Sequence, residues 1–300
     1  MLTSTRFQLA VSQLTTLRWD LPEELCHCVE HGFDAISLWR AKVSDVGTGT
    51  AQELLQQAGV RVSSLHWAGG FTGSDGQTFD ESLADCREAI ETAEQLACPV
   101  LTVYAGCRGG HTLSHARRLV RQALAELAPA ATAAGVTLAL KPAREPESLG
   151  GGFMSSLEET QAVIADVDQD HVGLALDLWA FADDPFLRES WDLLVRHTRL
   201  VLVADRSGPL DFEQERLLPG AGRLPLDWCL RALADAGYQG DIEIDPVGEA
   251  VSQAGYEATL AAISHYRDEL GRMLRRPQPR RRAAAMPPVL AEAGVRPGHP

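Results

Sequence analysis

Residues 136–142 read Val-Thr-Leu-Ala-Leu-Lys-Pro, a short apolar run that ends in a charged residue and a turn. Successive apolar positions predict a β-strand covered on both faces, because a strand with one solvated face would alternate apolar and polar residues. Residues 200–204, Leu-Val-Leu-Val-Ala, repeat this pattern. Such strands are typical of a parallel sheet that is enclosed by helices.

Strand-like runs of this kind alternate with amphipathic helical patterns along the chain. The predicted strands are residues 7–11, 35–38, 60–65, 100–104, 136–140, 172–176, 200–204 and 241–245. The predicted helices are residues 22–31, 51–58, 79–97, 112–134, 157–166, 185–197, 227–236 and 256–274. Eight strands and eight helices in ~270 residues predict a single (β/α)8 TIM barrel of the α/β class. A doubly wound open sheet is the alternative, but no glycine-rich phosphate fingerprint follows the first strand.

Glycine often separates a predicted helix from the next strand. Gly59, Gly135 and Gly237 each follow an alanine at the end of a helical pattern, where glycine suits a left-handed helix cap. The repeated order of helix, glycine and strand supports the barrel prediction.

The composition changes after residue 274. The segment from Arg275 to Pro300 holds six arginines and one acidic residue and is rich in proline and alanine. Such a segment has little to bury, so we predict a barrel over residues 1–274 and a disordered basic tail over residues 275–300. A solvated tail and a basic arm for anionic surfaces or nucleic acid are both open readings.

Composition limits the classes of partner. The chain has 300 residues with a formal charge of −14, and its positive tail makes the barrel itself more acidic still. An acidic barrel repels polyphosphates, which disfavours nucleic acid as its partner. No run approaches the ~20 apolar residues of a membrane span, and the first residues lack a signal-peptide pattern, so we predict a cytoplasmic protein. The six scattered cysteines predict reduced thiols.

In a TIM barrel the active site lies at the carboxyl ends of the strands. Three predicted carboxylates and one ammonium would therefore converge on one mouth, and buried charges are costly unless they pair. The residues that the strand-end rule selects are His66, Trp67, residues 104–111, Lys141, Asp177, Asp205 and Asp245.

Four segments carry a family resemblance. They are residues 62–70 (VSSLHWAGG), 109–112 (GGHT), 173–179 (GLALDLW) and 216–226 (RLLPGAGRLPL). With them the sequence from about Phe7 to Gly248 resembles the sugar phosphate isomerase/epimerase superfamily of xylose-isomerase-like TIM barrels. The resemblance implies a barrel that acts on, or binds, a small hydroxylated carbonyl compound such as a sugar or keto acid. The reaction it implies is proton transfer next to a carbonyl.

The resemblance also implies one divalent cation, Mn, Mg or Zn, held by side chains on strands five to eight. At the matching positions this sequence has Lys141, Asp177, Leu202 and Asp245, and Ala180 replaces a histidine that usually follows the aspartate. Two carboxylates do not complete a cage for a hard cation that takes about six ligands. We therefore predict no metal ligands and no cofactor, and expect the Lys141 ammonium to pair with Asp177 and Asp245 in place of the metal.

The predicted catalytic residues are Lys141, Asp177 and Asp245. One aspartate would be the base, and the lysine would stabilise the charge of an enediolate. A Schiff-base amine is an alternative for Lys141 that the neighbouring carboxylates disfavour, and an exposed surface lysine is another.

The predicted substrate-binding residues are His66, Trp67, His111, Trp179, Asp205 and Arg216. The histidines would donate from loops and the tryptophans would stack on a sugar, although polar loop residues and packing tryptophans fit the same pattern. Arg216 would bind a substrate carboxylate or phosphate, or else pair with Asp211 or Glu213 nearby.

The sequence thus predicts an isomerase- or epimerase-like barrel that transfers a proton without a metal. The alternative is a non-catalytic sugar-binding or regulatory descendant, and the missing histidines and acidic barrel disfavour an endonuclease-like member. The expected partner is a small-molecule sugar or keto acid. We expect no membrane partner, and the tail is the one segment that could contact nucleic acid; a homodimer is left open.

Overall fold

The structure is a computed structural model that describes residues 7–74, 76–144, 152–210 and 215–275. Its centre is a closed barrel of eight parallel strands in chain order, with β8 paired to β1. The predicted (β/α)8 fold is therefore confirmed. The strands are β1 (Gln8–Ser12), β2 (Ala35–Trp39), β3 (Arg61–Gly69), β4 (Val100–Tyr104), β5 (Thr137–Leu140), β6 (Val172–Asp177), β7 (Thr198–Val203) and β8 (Asp241–Ile244).

Helices surround this barrel. Over the described ranges they are α1 (Leu21–Glu30), α2 (Arg40–Val46), α3 (Thr48–Ala58), α4 (Phe79–Gln95), α5 (Leu113–Ala134), α6 (Leu157–Val167), α7 (Leu178–Phe181), α8 (Pro185–Glu189), α9 (Trp191–His197), α10 (Leu226–Asp235), α11 (Glu249–Ala254) and α12 (Tyr256–Arg275). None of them is both long and apolar enough to cross a membrane. The predicted tail, apart from Arg275, lies outside the described residues.

The predicted helix over residues 185–197 was wrong in its continuity. Ser190 leaves the helical conformation, with φ −125° and ψ 24°, and separates α8 from α9. Its carbonyl oxygen accepts from the N–H groups of Leu193 and Leu194, so it begins a second helix. The short helices α2, α7 and α11 were not predicted, because four to seven residues are too few to show a helical period.

The long helices have the ends that the sequence predicts. The Thr112 side chain accepts from the His115 N–H at the start of α5, and Gly135 closes this helix with φ 67°. Gly59 closes α3 in the same way. Between these ends α5 packs one apolar face on the barrel, where Val120 and Leu124 are fully buried.

The barrel interior explains the apolar strands. Small and branched side chains of β4 to β7 fill it in one cluster, which consists of Val100, Ala139, Ala175, Leu200 and Leu202. At the amino ends of the strands Arg61 binds Asp241 through two hydrogen bonds of 2.7 and 2.6 Å. The side chains of the interior cluster form a packed layer beneath the carboxyl ends of the strands, where the active site of a TIM barrel lies. The six cysteines are free thiols, as predicted.

Candidate active site

Four charged side chains meet at the carboxyl ends of β5 to β8, and we call them the charged cluster: Lys141, Asp177, Arg216 and Asp245. The two aspartates are almost fully buried, with 1% and 3% of their surface exposed. Lys141 Nζ lies 2.9 Å from Asp177 Oδ2. The strand-end rule therefore found three members of this cluster, and the loop after β7 supplies the fourth.

Arg216 joins the two aspartates. Its Nη1 and Nη2 atoms donate to the two carboxylate oxygens of Asp177, each at 3.0 Å. Nη2 also donates to Asp245 Oδ2 at 2.6 Å, and Nε donates to the Asp245 backbone carbonyl at 3.2 Å. A planar guanidinium suits this bidentate contact, which an ammonium could not make.

The sequence-based expectation of a single ammonium between two carboxylates therefore needs correction. The structure places two cations, Lys141 and Arg216, against two anions. Asp211 and Glu213, the other predicted partners of Arg216, lie outside the described residues. Two cations are needed because burying two carboxylates beside one ammonium would leave a net charge without a partner.

The pKa values of the two aspartates are shifted in opposite directions. Burial alone would raise the pKa of Asp177, but the nearby charges of Arg216 and Lys141 outweigh it and hold that pKa well below its usual range. For Asp245 burial prevails over the attraction of Arg216, and the Asp177 charge adds to it, which raises the pKa to about 6. Carboxyls with separated pKa values suit separate tasks, one as a fixed anion and one as an acid or base.

The hydrogen bonds of the two aspartates also differ, with more donors on Asp177 than on Asp245. Asp177 Oδ1 accepts from the Trp179 N–H at 3.1 Å as well as from Arg216, and Oδ2 is held by Lys141 and Arg216. Asp245 Oδ1 is buried and has no hydrogen-bond partner among the described residues. Of the two carboxyls, Asp245 is thus the one with an oxygen to offer a ligand.

The divalent cation that the family resemblance implies does not fit this donor set. Both Asp177 oxygens are engaged by cationic side chains, and Lys141, Leu202 and Ala180 supply no ligand atom where one would be needed. Within residues 7–74, 76–144, 152–210 and 215–275, no group of three or more His, Cys, Asp or Glu is arranged to hold a metal ion. The ammonium of Lys141 and the guanidinium of Arg216 would repel a metal cation. At this site the positive charge comes from these two side chains.

Asp205 holds the loop that carries Arg216. Its Oδ1 accepts from the N–H groups of Arg206 and Leu224 at 2.8 and 2.9 Å, and its Oδ2 accepts from the Gly220 N–H at 3.0 Å. Gly222 lies so close that a Cβ there would clash with this carboxylate. Both carboxylate oxygens of Asp205 therefore accept hydrogen bonds from backbone N–H groups of this loop. The contact between Asp205 and substrate stays a prediction.

Aromatic rings form the opposite wall of the mouth. Trp67 is 43% exposed, and its ring lies 6.4 Å from that of Trp39 and 5.9 Å from that of Tyr104. Lys141 Nζ lies 5.4 Å from the Tyr104 ring centre, a cation–π contact that links this wall to the charged cluster. An exposed tryptophan beside such a cluster is available for stacking on a ligand.

Trp179 and His111 take different positions. Trp179 is 5% exposed, donates from Nε1 to the Glu215 carbonyl at 3.0 Å and lies under the Arg216 guanidinium, 5.0 Å away. It therefore packs the arginine in place. His111 Nε2 lies 3.0 Å from the Thr72 carbonyl, and its ring stacks on His115. Nothing in these contacts joins His111 to the charged cluster.

His66 lies within β3 and not, as was predicted from the sequence, on the following loop, because β3 extends to Gly69. Its Nε2 is 3.0 Å from Oε2 of Glu243, which is fully buried in β8. Sequence reasoning missed Glu243 as a site residue. The available signal was the acidic alternation Asp241, Glu243, Asp245, which places all three carboxylates on one face of a strand.

Comparison with known proteins gives three informative likenesses. A protein of Streptomyces coelicolor named putative hydroxypyruvate isomerase is 29% identical over 265 residues, covering 80% of this chain and 90% of that protein. An inosose isomerase of Halalkalibacterium halodurans is 24% identical over 251 residues, covering 79% and 87%. A crystal structure of a Sinorhizobium meliloti protein superposes with a TM-score of 0.77 at 24% identity, covering 88% and 98%.

A family model described as xylose isomerase-like TIM barrel matches residues 26–267. The matched region extends from α1 into α12 and contains every member of the charged cluster. Because the match spans most of the chain and the closed eight-stranded barrel is present, the chain belongs to the xylose isomerase-like TIM barrel family.

Proposed function

We propose that this chain isomerises a small α-hydroxy carbonyl compound, a sugar or keto acid, by proton transfer without a metal. The observation that carries the proposal is the charged cluster. In it Lys141 pairs with Asp177, and Arg216 pairs with both Asp177 and Asp245. Relatives named hydroxypyruvate isomerase and inosose isomerase support the reaction class. The substrate that we propose has a carbon atom that bears a hydrogen and a hydroxyl group and lies next to a carbonyl group.

The roles follow from the contacts. Asp245 has the raised pKa and the unpartnered Oδ1, so it is the base that takes the proton from carbon. Removing that proton places negative charge on the carbonyl oxygen of an enediolate. Lys141 and Arg216 supply the positive charge that stabilises this oxygen, and Asp177 keeps both cations in place. Protonated Asp245 then returns the proton to the neighbouring carbon.

The test is hydrogen exchange in D2O with a panel of C3 to C6 hydroxy carbonyl compounds, beginning with hydroxypyruvate and an inosose. The wild-type protein should place deuterium on the reacting carbon and form the isomer. The rates of these two events should be the same with EDTA present as with Mn²⁺ added. Proton NMR follows both events.

Two variants make the result specific. Asp245→Asn should lower exchange by about 100-fold or more, since general acid–base groups contribute 10²–10⁴. Asp235→Asn changes an exposed aspartate of α10 and should have no effect. Exchange that disappears with EDTA and returns with Mn²⁺ contradicts the metal-free chemistry. Binding of panel compounds without exchange supports a non-catalytic sugar-binding descendant instead.

A further inference from the structure

A second buried cluster lies in the barrel interior and has no role in the reaction described so far. Glu243 is fully buried and accepts from three side chains. Its Oε1 receives the hydroxyls of Ser63 and Ser64 at 2.7 and 2.6 Å, and its Oε2 lies 3.0 Å from His66 Nε2. A carboxylate with three donors is well satisfied, so it holds the imidazole in a fixed orientation.

The strand register places this cluster beside the charged cluster. Asp177 is level with Leu202, and Leu202 is level with Glu243. Adjacent strands lie 4.7–4.9 Å apart, so the Cα atoms of Asp177 and Glu243 are about 10 Å apart. Asp245 follows two residues later on the same face of the strand. The reacting groups and the His66–Glu243 pair therefore share one end of the barrel interior.

His66 reaches Glu243 from β3, three strands away around the closed barrel, so the contact crosses the interior. Because a carboxylate can only accept, Nε2 is the ring nitrogen that donates to Glu243, and Nδ1 is the one left to face a ligand. Thr102 is level with His66 on β4, and its buried hydroxyl has no hydrogen-bond partner among the described residues. A buried polar group of this kind calls for a polar neighbour such as a ligand hydroxyl.

Isomerisation needs one proton transfer that Asp245 does not perform. While Asp245 moves a hydrogen between two carbons, the substrate hydroxyl must lose its proton and the former carbonyl oxygen must gain one. Lys141 and Arg216 are committed to carboxylates, so a separate group is required. A neutral imidazole that is held by a carboxylate can accept and donate a proton in turn.

We propose that His66 carries the proton between the two substrate oxygens and that Glu243 is its positioning residue. The inference rests on the proposed function. In the enediolate, Nδ1 takes the proton of the hydroxyl oxygen, and the imidazolium gives it to the oxygen that was the carbonyl. The carbon–carbon double bond then takes the proton from Asp245, and a lone pair of the deprotonated oxygen forms the new carbonyl. His66 ends as it began, so no oxidant or further reactant is needed.

The experiment uses the full chain in D2O with the panel compound that the wild type exchanges fastest. His66→Asn should still exchange the carbon-bound hydrogen, because Asp245 is intact, so the ratio of exchange to product formation should rise above that of the wild type. Its product formation should fall by about 100-fold or more. His171→Asn is the matched control, because His171 Nδ1 lies 2.9 Å from the Val136 carbonyl at the opposite end of the barrel. That variant should match the wild type in both measurements.

The outcomes are distinct. Product formed by His66→Asn at the wild-type rate overturns the inference while the proposed function stands. No exchange by the wild type contradicts the proposed function, and the inference falls with it. Glu243→Gln should lower kcat by about tenfold or more with KM within about threefold, since positioning acts on the transition state. A change in KM alone would overturn the positioning role.

A measurement on the wild type covers the case in which His66→Asn fails to fold. Glycolohydroxamate resembles an enediolate, and binding of this probe can be followed by calorimetry. The His66 imidazole signals in NMR spectra should shift when it binds. Bound probe with unchanged His66 signals overturns the inference.

Discussion

Arg216 is the residue on which the charged cluster depends. It contacts both carboxylates, whereas Lys141 forms its ion pair with Asp177. Its guanidinium also lies on the Trp179 ring, so packing and charge fix it together. The position of positive charge at the mouth is thus set mainly by a residue of a loop.

Arg216→Met should lower the free energy of unfolding by about 3–5 kcal/mol, because it leaves two buried carboxylates without their shared partner. Lys141→Met should cost less, since Asp177 keeps its bidentate contact. Urea unfolding measures both. Arg87→Met is the control, because its pair with Glu126 is exposed and worth about 1 kcal/mol at most. An equal loss in the Arg216 and Arg87 variants would contradict this account.

Asp245 makes stability depend on pH in a definite direction. Its pKa is raised from 3.8 to about 6, first by burial, so the folded protein binds this proton more tightly than the unfolded chain does. That contribution is present below about pH 4 and is lost as the pH rises through about 6. Asp177, with its lowered pKa, contributes in the opposite sense, above its ordinary pKa of 3.8.

Asp245→Asn should remove the first contribution. Relative to the wild type, its free energy of unfolding should rise by about 2–3 kcal/mol between pH 4 and pH 7. Urea unfolding at several pH values gives this difference. Curves for the two proteins that run parallel over this range would show that Asp245 titrates as it does in the unfolded chain.

At the scale of elements, the segment between β7 and α10 decides where Arg216 lies. Asp205 and Leu217 exchange two backbone hydrogen bonds of 2.8 Å, and Arg216 does the same with Val247 at 3.1 and 2.8 Å. Together with the Asp205 carboxylate, these contacts fasten the loop to the ends of β7 and β8. Arg216 therefore arrives at the mouth with its backbone already fixed, which favours a single side-chain geometry.

Asp205→Ala should release this loop, because it leaves three backbone N–H groups without their acceptor. We expect a loss of about 2–4 kcal/mol and faster hydrogen exchange at Gly220 and Leu224, with no change at Leu138 in β5. Asp184→Ala is the control, since it removes a helix cap at Phe186 and leaves this loop alone. Unchanged exchange at both loop amides would refute the assignment.

At the scale of the molecule, strand pairing closes the barrel within the part of the chain that the structure describes. β8 pairs with β1 over four residues, and α12 packs Ile263 and Leu270 against the barrel. The ring of strand pairs is therefore closed within the described residues.

A chain that ends at Arg275 should therefore keep its fold. Its helical circular dichroism should match that of the full chain per barrel residue, with a melting temperature within about 2 °C. A shorter chain ending at Glu257 removes most of α12 and should melt far lower, because the apolar face of that helix is lost. A large loss of helicity in the first truncation would move the domain boundary beyond residue 275.

How far the sequence predicts the site depends on where each residue lies. Lys141, Asp177 and Asp245 follow directly from strand ends, because the carboxyl ends of all parallel strands in a barrel meet at one rim. Arg216 lies 13 residues beyond the last residue of β7, so its partners depend on how the loop folds. The chemistry of arginine suggests a contact with an anionic ligand, but nothing in the sequence indicates that Arg216 pairs with Asp177.

The barrel could be predicted from the sequence, because alternating apolar strands and amphipathic helices are local patterns that each segment carries in its own residues. The strand ends also predict that Asp177 and Asp245 reach the rim. That Arg216 bridges these two aspartates, and that His66 meets Glu243 across the interior, is seen only in the folded chain. His66 and Glu243 are 177 positions apart, and closure of the barrel brings them within hydrogen-bonding distance. Arg216 meets Asp245, 29 positions away, because β7 pairs with β8 and the loop after β7 folds back over their ends.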